Sequence, residues 1–244
     1  MLTLSPFVLY RRTFFMEDIS RVLQKHQKEF SPVVSFSAAA DKLHHFDFTE
    51  KNTALGDIDI ANTDKFSEYI NNILQSTGSK YGIGGYDENR VLYRRSPLFD
   101  GDEPWTIHLG IDIWGAAGTK LYAPIGGMIH SFAFNNEFGD YGATVILLHQ
   151  LDTIVFHTLY GHLGIKDIAG LQEGKYISRG ELIGHFGQAS ENGNWPPHLH
   201  FQLINDLRVH RGDYPGVCNL SERELYLKNC PDPDLILQMM KYAR

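Results

Sequence analysis

The sequence predicts a mainly β fold, α+β overall, in which an antiparallel β sandwich or open barrel follows a smaller helical N-terminal part. Apolar residues at helical spacing dominate before about residue 90. After it, short β-rich runs alternate with Gly and Pro turns. We therefore divide the chain into a mostly helical region, residues 1–90, and a β domain, residues 91–244.

Two helices are predicted in the N-terminal region. The first covers residues 16–30, where apolar side chains recur at helical spacing among charged ones. The second begins with Thr63 as its N-cap and stops at Gly78, which suits a helix C-terminus. Between them, His44 and His45 lie beside aspartates, and a solvated loop is expected there.

The β domain contains six runs that are rich in β-branched and aromatic residues. They are residues 107–114, 121–127, 143–150, 153–163, 181–186 and 198–204. A final apolar run, DLILQMM, follows Pro231 and predicts a closing helix.

The composition limits the class of protein. Of 244 residues, 43% are hydrophobic and 21% are charged, which is typical of a globular protein with a sizeable core. The net charge of -7 argues against nucleic acid as the main partner, because there is no basic excess to neutralise phosphates. No apolar run approaches the length that crosses a bilayer, so no membrane partner is expected.

The N-terminus and the cysteines bear on location. Arg11 and Arg12 follow the first apolar residues, whereas a secretory signal has the opposite order. We therefore expect a cytoplasmic protein, or a periplasmic or secreted one if a leader has been removed. The two cysteines, Cys218 and Cys230, do not make a disulfide framework, and reduced thiols are favoured over a bridge.

Two histidines of the last β run share a spacing of two. His198 and His200 flank Leu199 in HLHFQLI, and side chains two apart on a strand project from the same face. Both imidazoles would then point one way while Leu199 points into the core. The motif alone is weak, since HxH also occurs by chance.

A second pattern, HxxxD, lies in HLGID. His108 and Asp112 would share a face of one strand, and Gly110 leaves room for close approach. An imidazole and a carboxylate are both suitable ligands for Zn²⁺. His162 ends an apolar β run after Tyr160 and Gly161, where a role at the rim of a site is possible.

Taken together, these residues predict a catalytic zinc site. His108, Asp112 and His200 would hold one Zn²⁺ per chain and leave a fourth position open for water, as catalytic zinc sites do. Such a water supplies hydroxide near neutral pH. His162 and His198 would then transfer protons, and which of them is the base stays open.

Other candidates are weaker. Tyr141 and Tyr160 lie near the motifs and could donate to an oxyanion, but packing roles are favoured for both. Four further histidines of the β domain are expected to be structural: His130, His149, His157 and His185.

The blocks HLGIDIWGAAGTKLYAPIGGMIHSF, DYGATVILLH, TLYGHL, SRGELIGHFG and PPHLHFQL resemble the lysostaphin-type zinc metallopeptidases. The resemblance covers roughly residues 105–205. It implies a mostly antiparallel β fold with the site in a groove. It also implies a zinc held by the His and Asp of HxxxD and by the second His of HxH. The His of YxH and the first His of HxH would assist catalysis. The resemblance further implies a zinc-dependent endopeptidase acting on peptidoglycan-type or short glycyl or D-alanyl peptides.

A narrower resemblance extends to the flanks. YGIGGYDENRVLY, GDYPGVC and NCPDPDLIL look like metallopeptidase modules fused to aminotransferase or kinase-like domains. This association weakens the cell-wall interpretation. Two alternatives therefore remain: a non-catalytic binding or regulatory module on the same fold, and a zinc amidase or carboxypeptidase acting on small peptides. The N-terminal region could also cover the groove, with a residue such as His44 reaching the zinc.

Overall fold

The computed structural model describes residues 18–244. The start of the first predicted helix, at Met16, and the leader interpretation, which rests on residues 1–17, lie outside the described residues. The strands are β1 (Leu43–Phe46), β2 (Tyr81–Gly84), β3 (Ile107–His108), β4 (Ile111–Trp114), β5 (Lys120–Tyr122), β6 (Gly127–Asn135), β7 (Gly142–Leu151), β8 (Ile154–Leu163), β9 (Tyr176–Ile177), β10 (Leu182–His185), β11 (His198–Ile204) and β12 (Val217–Cys218). The α-helices are α1 (Ile19–His26), α2 (Thr63–Thr77), α3 (Ile165–Ile168), α4 (Arg223–Asn229) and α5 (Asp234–Leu237).

One large open sheet dominates the molecule. Its strand order is β1-β2-β4-β11-β8-β7-β6-β9, and two small sheets pair β10 with β5 and β12 with β3. The pair β1–β2 is parallel, and the other paired strands are antiparallel. The predicted mainly β, antiparallel architecture is therefore confirmed.

Strand β11 lies inside the large sheet and positions half of the predicted site. It pairs with β4 on one side and with β8 on the other. This register sets His200 opposite Asp112 and Gly161, and His198 opposite Trp114. All seven residues of β11 are buried, because the sheet is covered on both faces here.

The predicted strand 107–114 is in fact two strands. His108 on β3 pairs with Val217 of β12, whereas Asp112 on β4 pairs with His200. The expectation that one strand holds His108 and Asp112 on one face by even spacing is therefore wrong. The chain changes partners around Gly110, where a Cβ atom would lie 2.5 Å from the His200 ring, and this kink brings the two side chains together.

Helix α2 matches its prediction closely. Asn62, and not Thr63, is the N-cap, since its side chain accepts hydrogen bonds from the Asp64 and Lys65 amides. Gly78 ends the helix in the left-handed conformation with φ 63°, as predicted. The apolar stripe of α2 packs with the Trp114 end of β4.

The segment before residue 90 also supplies two strands to the large sheet. His44 and His45 lie on β1 and not in the solvated loop that was expected. Strand β2 pairs with β4, so the N-terminal segment and the β domain share one sheet. The domain boundary at residue 90 stays a prediction.

The C-terminal run DLILQMM forms only the short helix α5, and the longer α4 before it was not predicted.

Cys218 and Cys230 are both buried free thiols. Of the helices in residues 18–244, none has the length and apolar character that a bilayer span requires.

Candidate metal centre and active-site cavity

Three predicted ligands meet at the junction of β3, β4 and β11. His108, Asp112 and His200 each offer one donor atom, and these atoms all lie within 4.8 Å of one another. His108 Nε2 is 3.0 Å from His200 Nδ1 and 3.3 Å from Asp112 Oδ1. His200 Nδ1 is 3.1 Å from the same carboxylate oxygen. All three side chains are buried.

The outer hydrogen bonds assign the protons of both imidazoles. His108 Nδ1 lies 2.8 Å from the Gly85 carbonyl, which can only accept, so this nitrogen carries the proton. His200 Nε2 lies 2.9 Å from Gln202 Oε1. The Gln202 amide nitrogen donates to the Pro215 carbonyl, so Oε1 of the same amide is the acceptor. The single ring proton of His200 is therefore on Nε2.

These assignments leave His108 Nε2 and His200 Nδ1 as unprotonated lone pairs. Both face Asp112 Oδ1, which is also only an acceptor. Three buried acceptor atoms that face one another need a positively charged partner, and one shared cation can supply it. Two imidazole nitrogens and one carboxylate oxygen form a ligand set that suits Zn²⁺. The donor chemistry therefore fits the predicted metal.

The ionisation states agree with this assignment. Burial and, to a smaller extent, the nearby Arg90 lower the pKa of His108 to about 4, so the ring is neutral. Burial alone would raise the pKa of Asp112, but contacts with His108 and Arg90 hold it well below its usual value. Metal binding needs a neutral imidazole and an ionised carboxylate.

The two predicted proton-transfer residues lie beside the ligands. His198 Nε2 is 4.0 Å from Asp112 Oδ1, and the His162 and His198 rings are 4.1 Å apart. Each Nδ1 contacts a backbone carbonyl, that of Asn192 at 2.9 Å for His162 and that of Pro196 at 2.7 Å for His198. Since a carbonyl only accepts, both Nδ1 atoms are protonated and both Nε2 atoms keep a lone pair.

Local structure fixes both rings. His198 stacks on Trp114 with ring centroids 3.9 Å apart. His162 lies near the end of β8 with φ 64°, a left-handed backbone that L residues seldom adopt. Such backbone strain tends to persist at functional sites, where the surrounding structure enforces it.

Four of the five predicted residues line one cavity of about 430 Å³, while His108 lies behind it. This volume falls in the range of small-ligand sites. Aromatic side chains form much of its wall. They are Tyr93, Phe99, Trp105, Trp114, Tyr141, Trp195 and Tyr214.

The two candidate tyrosines differ in position. The Tyr141 hydroxyl lines the cavity, 3.5 Å from His200 Nε2 and 3.5 Å from Gln202 Oε1. Tyr160 is fully buried in the core, where its hydroxyl contacts Thr158. Tyr141 therefore packs in the core, as was favoured, and also reaches the cavity, whereas Tyr160 packs in the core alone.

Three of the histidines that were expected to be structural lie elsewhere. His130, His149 and His157 lie on β6, β7 and β8, and we call them the distal histidine cluster. His149 uses both ring nitrogens, one to the Gly126 carbonyl and one to the Thr158 hydroxyl. Their absence from the ligand set agrees with the structural role that was expected.

The sequence motifs missed several residues that shape the site. Arg90, Gln202 and Trp114 all contact predicted site residues. Gln202 continues the HxH alternation, so the i+2 spacing on β11 could have indicated it. The approach of Arg90 depends on the pairing of β2 with β4, which no local pattern shows. Among residues 18–244, one group of side chains could hold a metal ion, namely His108, Asp112 and His200. His44 lies on β1 and does not belong to this group.

Comparisons with known proteins agree with this geometry. Residues 106–211 match the family model described as Peptidase family M23. The catalytic domain of the antimicrobial peptidase lysostaphin from Staphylococcus simulans is 20% identical, with 66% of this chain and 96% of that chain covered and a TM-score of 0.38. A zinc-containing peptidase from Vibrio cholerae is 25% identical over 40% of this chain and 27% of that chain, with a TM-score of 0.32. Csd3 from Helicobacter pylori is 23% identical over 50% of this chain and 32% of that chain, with a TM-score of 0.33.

The chain spans between about a quarter and about a half of the length of the first solved structures that it matches, namely 51%, 27% and 32%. The comparison with curated proteins gives no match. Because the TM-scores are low, the family match rather than the structural likeness identifies the class. Residues 106–211, which make up less than half of the chain, match the model of peptidase family M23, and this match supports the lysostaphin-type assignment.

Proposed function

We propose that this protein is a zinc-dependent peptidase that hydrolyses a peptide bond in the cavity beside His108, Asp112 and His200. One observation carries the proposal: three buried acceptor atoms from these residues converge with no proton between them. A structural metal site would enclose the ion with protein ligands. Here only three protein ligand atoms face the ion position, and the open cavity beside them leaves room for water and substrate.

Hydrolysis of a peptide bond needs a polarised carbonyl, an activated water and a proton for the leaving amine. When bound, the zinc would supply Lewis-acid chemistry and make water acidic near neutral pH. His108, Asp112 and His200 would hold the ion, and the carbonyls and amides behind them would keep each donor atom in place.

His162 and His198 carry the proton transfers in this proposal. Their Nε2 atoms keep a lone pair, because Nδ1 of each donates to a carbonyl. Burial lowers the pKa of His198 to about 4 and that of His162 well below its usual value, so both rings can accept a proton from the attacking water. One of them then returns a proton to the amine nitrogen.

The cavity wall supplies the remaining functions. The Tyr141 side chain lines the cavity, and its hydroxyl donates to Gln202 Oε1, 3.5 Å away. With substrate bound, this phenol would turn toward the cavity and donate to the developing oxyanion. The aromatic walls would bind the chain of the substrate and exclude water. A peptidoglycan-type or short glycyl or D-alanyl peptide is the proposed substrate, supported by the family model that residues 106–211 match.

The test uses purified protein with peptidoglycan and with short glycyl and D-alanyl peptides, and identifies the products by mass spectrometry. Internal cleavage that stops after treatment with a chelator and returns on adding zinc supports the proposal. Loss of a terminal residue would indicate a carboxypeptidase, and release of a peptide from sugar would indicate an amidase. Stoichiometric zinc without any cleavage would indicate a non-catalytic module, and absence of zinc from the protein would overturn the proposal.

A further inference from the structure

A buried arginine from outside the family match reaches the candidate metal centre. Arg90 is only 2% exposed. Its Nη1 donates to Asp112 Oδ2, its Nε donates to Glu88 Oε2 at 2.6 Å, and its Nη2 donates to the Gly85 carbonyl at 3.3 Å. The same Gly85 carbonyl accepts from His108 Nδ1. Arg90 therefore connects the surroundings of two predicted ligands.

The two oxygens of Asp112 have different environments. Oδ1 faces the imidazoles, 3.3 Å from His108 Nε2 and 3.1 Å from His200 Nδ1. Oδ2 faces away from them and is taken by the guanidinium of Arg90. A carboxylate with one oxygen engaged in a charge-assisted hydrogen bond is fixed in orientation, and only its other oxygen is free to bind a metal.

We propose that Arg90 is a positioning residue that makes Asp112 a one-oxygen ligand, and this inference rests on the proposed metal site. Without Arg90, both oxygens of Asp112 could bind the ion, as carboxylates often do. The second oxygen would then occupy the coordination position that a hydrolytic site keeps open for water. Arg90 thus keeps that position available.

The backbone near Arg90 is shaped to admit the guanidinium. Gly84 pairs with Asp112 across β2 and β4, and a Cβ atom on Gly84 would lie 2.7 Å from Arg90 Nη2. The ring of Phe48 lies under the guanidinium at 5.4 Å. The carboxylate of Glu88 fixes the other edge. Replacing Arg90 with lysine would keep a charge but lose this planar fork.

The experiment removes the metal from purified wild-type protein and from Arg90→Gln, then measures zinc affinity by competition with a chelator. Loss of an outer partner of a metal ligand typically weakens binding 10–100-fold, and we expect a loss of about that size. The cobalt-substituted proteins give a second readout. Four-coordinate Co²⁺ absorbs visible light strongly, so we expect weaker absorption in Arg90→Gln, as the coordination number rises. Arg90→Lys should restore little of either property.

Arg95→Gln is the matched control. Arg95 is also buried, 5% exposed, but it stacks on Trp195 and Phe138 and contacts none of the three ligands. It should lower the melting temperature while leaving zinc affinity and the cobalt spectrum unchanged. If Arg90→Gln fails to fold, Glu88→Gln and Gly84→Ala test the same arrangement, and both should shift the spectrum in the same direction.

Two failures are distinguishable. Wild-type protein that binds no zinc would overturn the proposed function, and the inference with it. Wild-type protein that binds zinc, with Arg90 or Glu88 variants of equal affinity and an identical cobalt spectrum, would overturn the positioning role of Arg90 alone.

Discussion

Strand β8 carries two buried histidines in different chemical settings. Near its start, His157 faces His130 with ring centroids 5.2 Å apart, in the distal histidine cluster. Near its end, His162 lies 4.1 Å from the ring of His198, beside the candidate metal centre. In both settings burial lowers the pKa of the histidines. The two histidines of β8 are therefore alike in burial and in the direction of their pKa shift.

The difference lies in what the rings face. At the candidate metal centre, lone pairs of His108 and His200 converge on the carboxylate of Asp112. In the distal cluster, His149 spends both nitrogens on a carbonyl and a hydroxyl. The candidate metal site is therefore distinguished by unprotonated nitrogen and oxygen atoms that face one another. A high local density of histidine does not distinguish it.

The largest effect is expected for a ligand. His108→Ala should remove the zinc and reduce peptidase activity by more than about 100-fold, because a ligand matters more than the outer partners whose loss costs 10–100-fold in metal affinity. The matched change in the distal cluster, His149→Ala, should keep the zinc. Metal analysis and a peptide-cleavage assay measure both. Equal zinc content in the two variants would break the comparison.

A smaller effect is expected for a proton-transfer residue. His198→Ala should keep stoichiometric zinc while kcat falls by about 10²–10⁴-fold, the usual contribution of general acid–base catalysis. His157→Ala, at the start of β8 and away from the candidate metal centre, is the control and should keep kcat near the wild-type value. A His198 variant that loses its zinc would show that this residue is a ligand.

The tyrosines provide a sharper pair. Tyr141→Phe should lower kcat by up to roughly 10²–10³-fold if its hydroxyl donates to the oxyanion, as for other single donors of this kind. Tyr160→Phe removes a hydroxyl from the core and should leave kcat unchanged. Steady-state kinetics of both variants measure the difference. Similar kcat values for the two variants would assign Tyr141 to packing.

The smallest effect concerns stability in the distal cluster. Burial lowers the pKa of His149 to about 4, below its ordinary value of 6.5. The unfolded chain therefore takes up a proton first on acidification, so the stability that His149 contributes is complete above pH 6.5 and is lost between pH 6.5 and 4. His149→Gln should reduce this acid loss by up to about 3 kcal/mol, at 1.36 kcal/mol per pKa unit. Urea unfolding of metal-free proteins at pH 7.5 and 4.5 measures it, and an equal acid loss in both proteins would contradict it.

The sequence was informative where function follows from local spacing. The strand 198–204 and the last turn of α2 at Gly78 were predicted correctly from alternation and from glycine at a helix end. The pairing of His108 with Asp112 was predicted for the wrong reason, since the kink at Gly110 and not an even strand spacing brings them together.

Other features depend on contacts between distant segments. Arg90 approaches Asp112 only because β2 pairs with β4, and no pattern around residue 90 encodes that register. Tyr141 reaches His200 because β7 begins beside the site, whereas Tyr160, closer to the YxH motif, points into the core. Spacing along the chain predicted the ligands, while packing decided which neighbours support them.

Two glycines determine how freely His200 can move. At Gly110 a Cβ atom would lie 2.6 Å from His200 Nε2, and at Gly216 it would lie 3.4 Å from His200 Cε1. The backbone therefore lies close to the imidazole in two segments, and burial together with the Gln202 hydrogen bond holds the ring in its rotamer. The conformational entropy of ordering this ring is lost during folding and not when the ion binds. An ion that enters meets a donor already aimed at it, so its affinity is not reduced by the ordering of this side chain.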